Sequence, residues 1–95
     1  MIEVEVSNFY DGIIHEFLEA KKVEVQGLLD NQVDLKRLVK FGHQLSGTAG
    51  TYSLDDLSQL GIKIEVAAKN GDSFLCYQYC EEVRSYLRQL KISFK

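Results

Sequence analysis

The feature that most limits the folds open to this chain is a set of long apolar rhythms at helical spacing, combined with a complete lack of proline. Leu35, Leu38, Gly42, Leu45, Ala49 and Tyr52 advance by three and four residues in turn. At about 100° per residue such a line marks one buried seam of a helix. Leu54, Leu57, Gly61, Ile64 and Ala68 form a second seam, and Cys76, Cys80, Val83, Leu87 and Leu90 a third. An earlier stretch offers Tyr10, Ile14, Phe17, Leu18, Val25 and Leu28 as an inner face. Without proline each stretch can run uninterrupted.

Local signals set the expected boundaries. Ser7 or Asn8 caps a first helix running to about Leu29, and residues 30–33 make a short connection. Asp34 is the expected N-cap of the second helix. The third begins after Ser53, with Asp55 and Asp56 in its positively polarised first turn, and Asn70-Gly71 stops it. Asp72 or Ser73 caps a fourth helix that reaches about Lys91. Short connections make sequence neighbours antiparallel. The expected fold is therefore all-α, an antiparallel up-down-up-down four-helix bundle over residues 7–95. Residues 1–6 alternate apolar and acidic like a strand but have no visible partner, and are read as a short N-terminal arm packing on the bundle. All 95 residues make one domain.

Bulk properties exclude several classes. A formal charge of -3 argues against a nucleic-acid surface, which needs a basic face. No apolar run approaches the ~20 residues of a membrane span. The start, Met-Ile-Glu-Val-Glu-Val, has no basic segment or signal core, so the expectation is a cytoplasmic protein, free-standing from its initial methionine. Cys76 and Cys80 are four apart with no zinc-completing neighbours, and read as small buried hydrophobes. A di-metal carboxylate bundle needs inward Glu-x-x-His pairs, but Gly12 and Lys40 stand three residues before His15 and His43. No phosphate-cradling loop is present, so no ATP site or other cofactor is expected. No serine, histidine and aspartate grouping suggests a hydrolase.

His43 is the residue that calls for an explanation. On helical arithmetic it falls roughly 130° from the middle of its seam, facing solvent. Lys36, Lys40, Gly47 and Gly50 share that outer face. Each glycine weakens a helix by ~1 kcal/mol relative to alanine. Two such residues beside an exposed imidazole suggest that another molecule comes close to the ring, although glycine also permits close helix packing. Gly42 points inward, where packing is the reading. A neutral imidazole is a good nucleophile near neutral pH and can take a phosphoryl group on one nitrogen. His15 lies on the polar side of the first helix and reads as an ordinary surface histidine.

His43, Leu45 and Gly47, followed by Gly50, Tyr52 and Leu54, resemble the signature of histidine-containing phosphotransfer domains. The likeness continues through Leu57, Leu60, Glu65, Ala67, Ala68 and Asn70-Gly71-Asp72, within a layout from about Phe17 to Leu90. Ser46 stands where the family usually has lysine, and Ser53 where it usually has glycine. The resemblance implies a phosphocarrier of a two-component relay, with no kinase site of its own. It would accept a phosphoryl group on His43 and exchange it with the aspartate of a response-regulator receiver domain, supplied through a sensor histidine kinase of hybrid type. It also implies that Glu65 accepts a hydrogen bond from the imidazole and orients it; from spacing alone Glu65 reads as a solvated helix charge. With Ser46 in the lysine position, Lys40 and Lys36 are the candidate substitutes for the missing charge. The expected partner-facing set is Gly47, Gly50, Lys36, Lys40, Gln44, Ile62 and Val66. Ile62 and Val66 lie off the main seam, either forming an apolar docking patch or covered by the arm or first helix. The competing reading is an adaptor that docks a receiver or kinase domain without carrying phosphate, favoured by Ser46 and opposed by the joint presence of His43, Gly47 and Glu65.

Overall fold

The computed structural model describes residues 1–95 and contains four helices. They are α1 (Ile14–Asp30), α2 (Leu35–Thr51), α3 (Asp55–Lys69) and α4 (Ser73–Gln89), framed by strands β1 (Ile2–Val6) and β2 (Leu90–Phe94). The expected antiparallel bundle is present. Three seams read from the sequence supply its core, including Leu38, Leu45, Ala49, Leu57, Ile64, Cys76, Cys80, Val83 and Leu87. Asp34 caps α2 by accepting from the Arg37 N–H at 3.2 Å, and Asp72 caps α4 by accepting from Leu75 N–H at 3.1 Å. Burial pushes the Cys80 thiol up to about 12 and raises Cys76 as well, so both are inert core groups.

The two ends of the bundle correct the sequence reading. The first helix starts at Ile14, not near Asn8: Ser7 instead caps a 3-10 turn over Asn8–Tyr10, and Gly12 at φ +93° breaks the run. The fourth helix stops at Gln89, and residues 90–94 leave the helical bundle as a strand. That strand is the partner the N-terminal arm lacked. β1 and β2 pair in parallel, Ile2 with Leu90 through Val6 with Phe94. A two-stranded pair is marginal alone. Here one face packs on the core, with Val6 fully buried and Ile2, Val4, Leu90, Ile92 and Phe94 against it. At the far end of β2 the Phe94 ring meets His15 near the start of α1, 6.3 Å between centroids.

The α2–α3 contact is much the closest in the bundle, and glycine is the reason. A Cβ on Gly42 would stand 2.6 Å from the Gly61 carbonyl oxygen and 2.7 Å from Glu65 N; one on Gly61 would stand 2.6 Å from Ser46 N. These neighbours are backbone atoms that cannot step aside. α1 holds to the far end of α2 by aromatic contact, with Tyr52 meeting Tyr10 at 4.9 Å and Phe17 at 5.3 Å between ring centroids. Between α2 and α3, Ser53 adopts φ +61°, a left-handed conformation that glycine takes with less strain. That backbone position gives a physical reason for a glycine there.

Gly42→Ala should cost ~1–3 kcal/mol by forcing the two helices apart, read as a lower urea midpoint at unchanged m-value. Ser53→Gly should do the opposite, raising stability by about 0.5–1 kcal/mol in the same assay; a loss would mean that the turn is not strained.

Candidate functional site

His43 lies at the middle of α2, next to the Gly42–Gly61 contact, with a side chain 75% exposed. The outward direction expected from helical arithmetic is therefore observed. Because α2 and α3 nearly touch there, the facing residue on α3 comes within reach: Glu65 Oε1 lies 3.4 Å from His43 Nδ1. At this distance it is a long hydrogen bond. Glu65 is itself held. Lys69, one turn on, donates to its other oxygen, Oε2, at 3.0 Å. The three side chains form a line, Lys69–Glu65–His43, ending at an imidazole open to solvent.

Lys69 also sets the charge state of that line. Its hydrogen bond is the main influence holding the Glu65 carboxyl below its ordinary value of 4.5; burial opposes, while the charge of Lys69 and then the contact with His43 add smaller downward pushes. Glu65 is ionised at neutral pH. Its stabilising contribution is present above the ordinary value and is lost as pH falls through the lowered one. Lys69 escaped the sequence reading, although its i,i+4 spacing from Glu65 was the signal that would have found it.

The other expected site residues divide. Gly47 faces open space, with nothing within 4 Å of a notional Cβ, and Gly50 is nearly as open, meeting only Ser58 Oγ at 3.5 Å. Ser46 lies beside His43, but its hydroxyl donates back to the His43 carbonyl at 3.0 Å instead of facing outward, and its own carbonyl accepts from Ser58 at 2.8 Å. Gln44 and Lys40 are exposed and border a depression between α1 and α2 together with Glu24 and Phe41. Lys36 is exposed but lies two turns from His43, about 10 Å along the axis, too distant to act on a group held by the ring. Ile62 and Val66 are 42% and 53% exposed. Neither arm nor first helix covers them. They border a groove between α3 and α4 with Leu75 and Tyr79, which shares no residue with the depression at His43.

That depression is lined by Phe17, Lys21, His43, Gln44, Gly47, Thr48, Thr51 and Tyr52. It holds a second residue missed in the sequence: Lys21 of α1, whose stem is buried beside the Phe17 and Phe41 rings.

The model of the family described as Hpt domain matches residues 13–92, a span that takes in all four helices. The chain belongs to the Hpt domain family. The likeness seen around His43, Gly47, Tyr52 and Asn70-Gly71 thus extends through the whole bundle. No curated protein and no solved structure matches it significantly. Hpt domains are phosphocarriers without a kinase site, acting in phosphorelays with receiver domains and histidine kinases. No helix of this Hpt domain is long and apolar enough to cross a membrane.

In Lys69→Met, the Glu65 midpoint followed by its carboxyl carbon in NMR should rise toward 4.5. A midpoint that stays put would show that Lys69 is not what holds the carboxyl down.

Proposed function

We propose that this Hpt domain carries phosphate on His43, taking it from and returning it to the aspartate of a response-regulator receiver domain. One observation carries the reading: an imidazole three-quarters exposed, with Nδ1 against an ionised carboxylate. An ionised carboxylate only accepts hydrogen bonds, so an attractive contact requires the proton on Nδ1 and leaves the Nε2 lone pair free. In transfer from a receiver, Nε2 attacks phosphorus, the Nε2–P bond forms, and the aspartate oxygen leaves as carboxylate. The ring, now carrying both Nε2–P and Nδ1–H, gains positive charge. Glu65 stabilises that charge without having to reorganise, and Lys69 keeps Glu65 in place. The return step reverses these bonds.

The approach surface follows from the exposed face. Gly47 and Gly50 leave room beside the ring for a partner backbone. Gln44 and Lys40 flank it, with Lys36 at the margin. The exposed apolar pair Ile62 and Val66 extends the proposed docking surface along α3, where a receiver domain could cover it. The phosphoryl group would reach such a receiver from a sensor histidine kinase of hybrid type.

One observation favours the adaptor reading: the Ser46 hydroxyl is turned onto the His43 carbonyl, leaving no cation at that position. A panel of phosphorylated receiver domains separates the two readings. A carrier takes up acid-labile, alkali-stable label that is abolished in His43→Gln; an adaptor binds a receiver and leaves its phosphate in place.

A further inference from the structure

A phosphoryl group adds nearly two negative charges beside a ring whose nearest ionised neighbour is Glu65. The cations available to it are few. Lys69 is committed to Glu65. Ser46 offers no charge and Gly47 no side chain. Lys40 lies in open solvent, where a Coulomb interaction is roughly fourfold weaker than in a partly screened site. Across the helix interface, one basic residue lines the same depression as His43, and it is Lys21.

Lys21 is an unusual lysine. Its side chain is only 11% exposed, although the pattern of α1 gives no reason to expect a charge on the buried face. Its Nζ stands 5.9 Å from the centre of the Phe17 ring and 5.6 Å from that of Phe41. Two aromatic faces therefore stabilise the cation and exclude water on one side. The remaining polar contact is Glu24 Oε1, one turn away on the same helix, at 2.9 Å. Glu24 is itself nearly half exposed, so water screens its side of the pair and competes for its carboxylate, and Lys21 and His43 line one depression. A lysine that only covered apolar surface with its stem would place its head in water, whereas this head stays in the groove.

We propose that Lys21 is the phosphoryl-binding residue of this domain: its ammonium leaves Glu24 and pairs with the phosphoryl oxygens carried by His43. The charge comes from the neighbouring helix α1, instead of from the exposed face of α2. This inference rests on His43 being the phosphoacceptor.

Potassium phosphoramidate serves as the donor, in a His15→Gln background so that only His43 reports. Nε2 attacks phosphorus, the Nε2–P bond forms, the P–N bond of the donor breaks and ammonia leaves. Phosphorus NMR follows formation of phosphohistidine and its hydrolysis, in which water oxygen replaces Nε2 on phosphorus. Lys21→Met should slow formation and shorten the lifetime by roughly tenfold, the effect of removing one charge-assisted hydrogen bond. Lys21→Arg should keep most of both. Adding Ser46→Lys to Lys21→Met should restore them, since it returns a cation to the ring from the other side. Equal rates in wild type and Lys21→Met overturn the role of Lys21 and leave the carrier reading standing. A loss that tracks a lower melting temperature and resists rescue by Ser46→Lys overturns it also, as a packing effect. Absence of any His43 label on the wild type overturns both.

Discussion

The close approach of α2 to α3 at Gly42 and Gly61 is the contact on which the site depends. Two glycines facing one another remove the side chains that normally separate packed helices, and the backbones meet almost directly. His43 is the next residue after Gly42, and the Glu65 backbone is itself part of the contact. The inner face therefore sets the distance between two groups on the outer face. An ordinary helix separation of 8–10 Å, set by larger side chains, would take the carboxylate out of range of the ring. The core glycines are thus positioning elements of the site as well as packing elements of the fold.

Exposure and order are combined in an unusual way at His43. An exposed side chain normally samples several rotamers, and an ordered one is normally buried. The ring here keeps its solvent face and is restrained through one nitrogen only, by a carboxylate that is in turn held by Lys69. Glu65 is the least exposed member of the line, gripped from both sides by its two partners. Reactivity needs the free nitrogen to be accessible, and selectivity for that nitrogen needs the other one to be occupied.

Most of the bundle was legible because helical period, capping and stop signals agreed. Asp34, Asp72 and Asn70-Gly71 each perform the expected role, and the α2 seam is buried as its spacing required. The misses have physical causes. Leu90 continues the Leu87 helical seam and also opens the alternation Leu90, Ile92, Phe94, so the helix period masked a strand. Tyr10 and Ile14 are correctly spaced for one helix, yet Gly12 turns the chain between them. Phe41 lies one step off the seam and is buried because it faces α1. Lys21 is buried for the same reason, at an interface that a pattern along one helix does not reveal. The pairing of His43 with Glu65 spans 22 residues. Periodicity says nothing about such a pair; only the family likeness indicated it.

The parallel pairing of the first and last strands has a consequence for how the molecule is assembled and taken apart. Its partners are separated by almost the entire polypeptide, so closing the ladder early would incur the full loop-closure entropy with nothing yet gained. Once the helices have condensed, the same ends are already neighbours and that penalty has vanished. On loop-closure grounds the ladder is expected to close after the helices have packed. Amide exchange along it reports end-fraying, while exchange in the waist around the glycine contact reports whole-molecule opening.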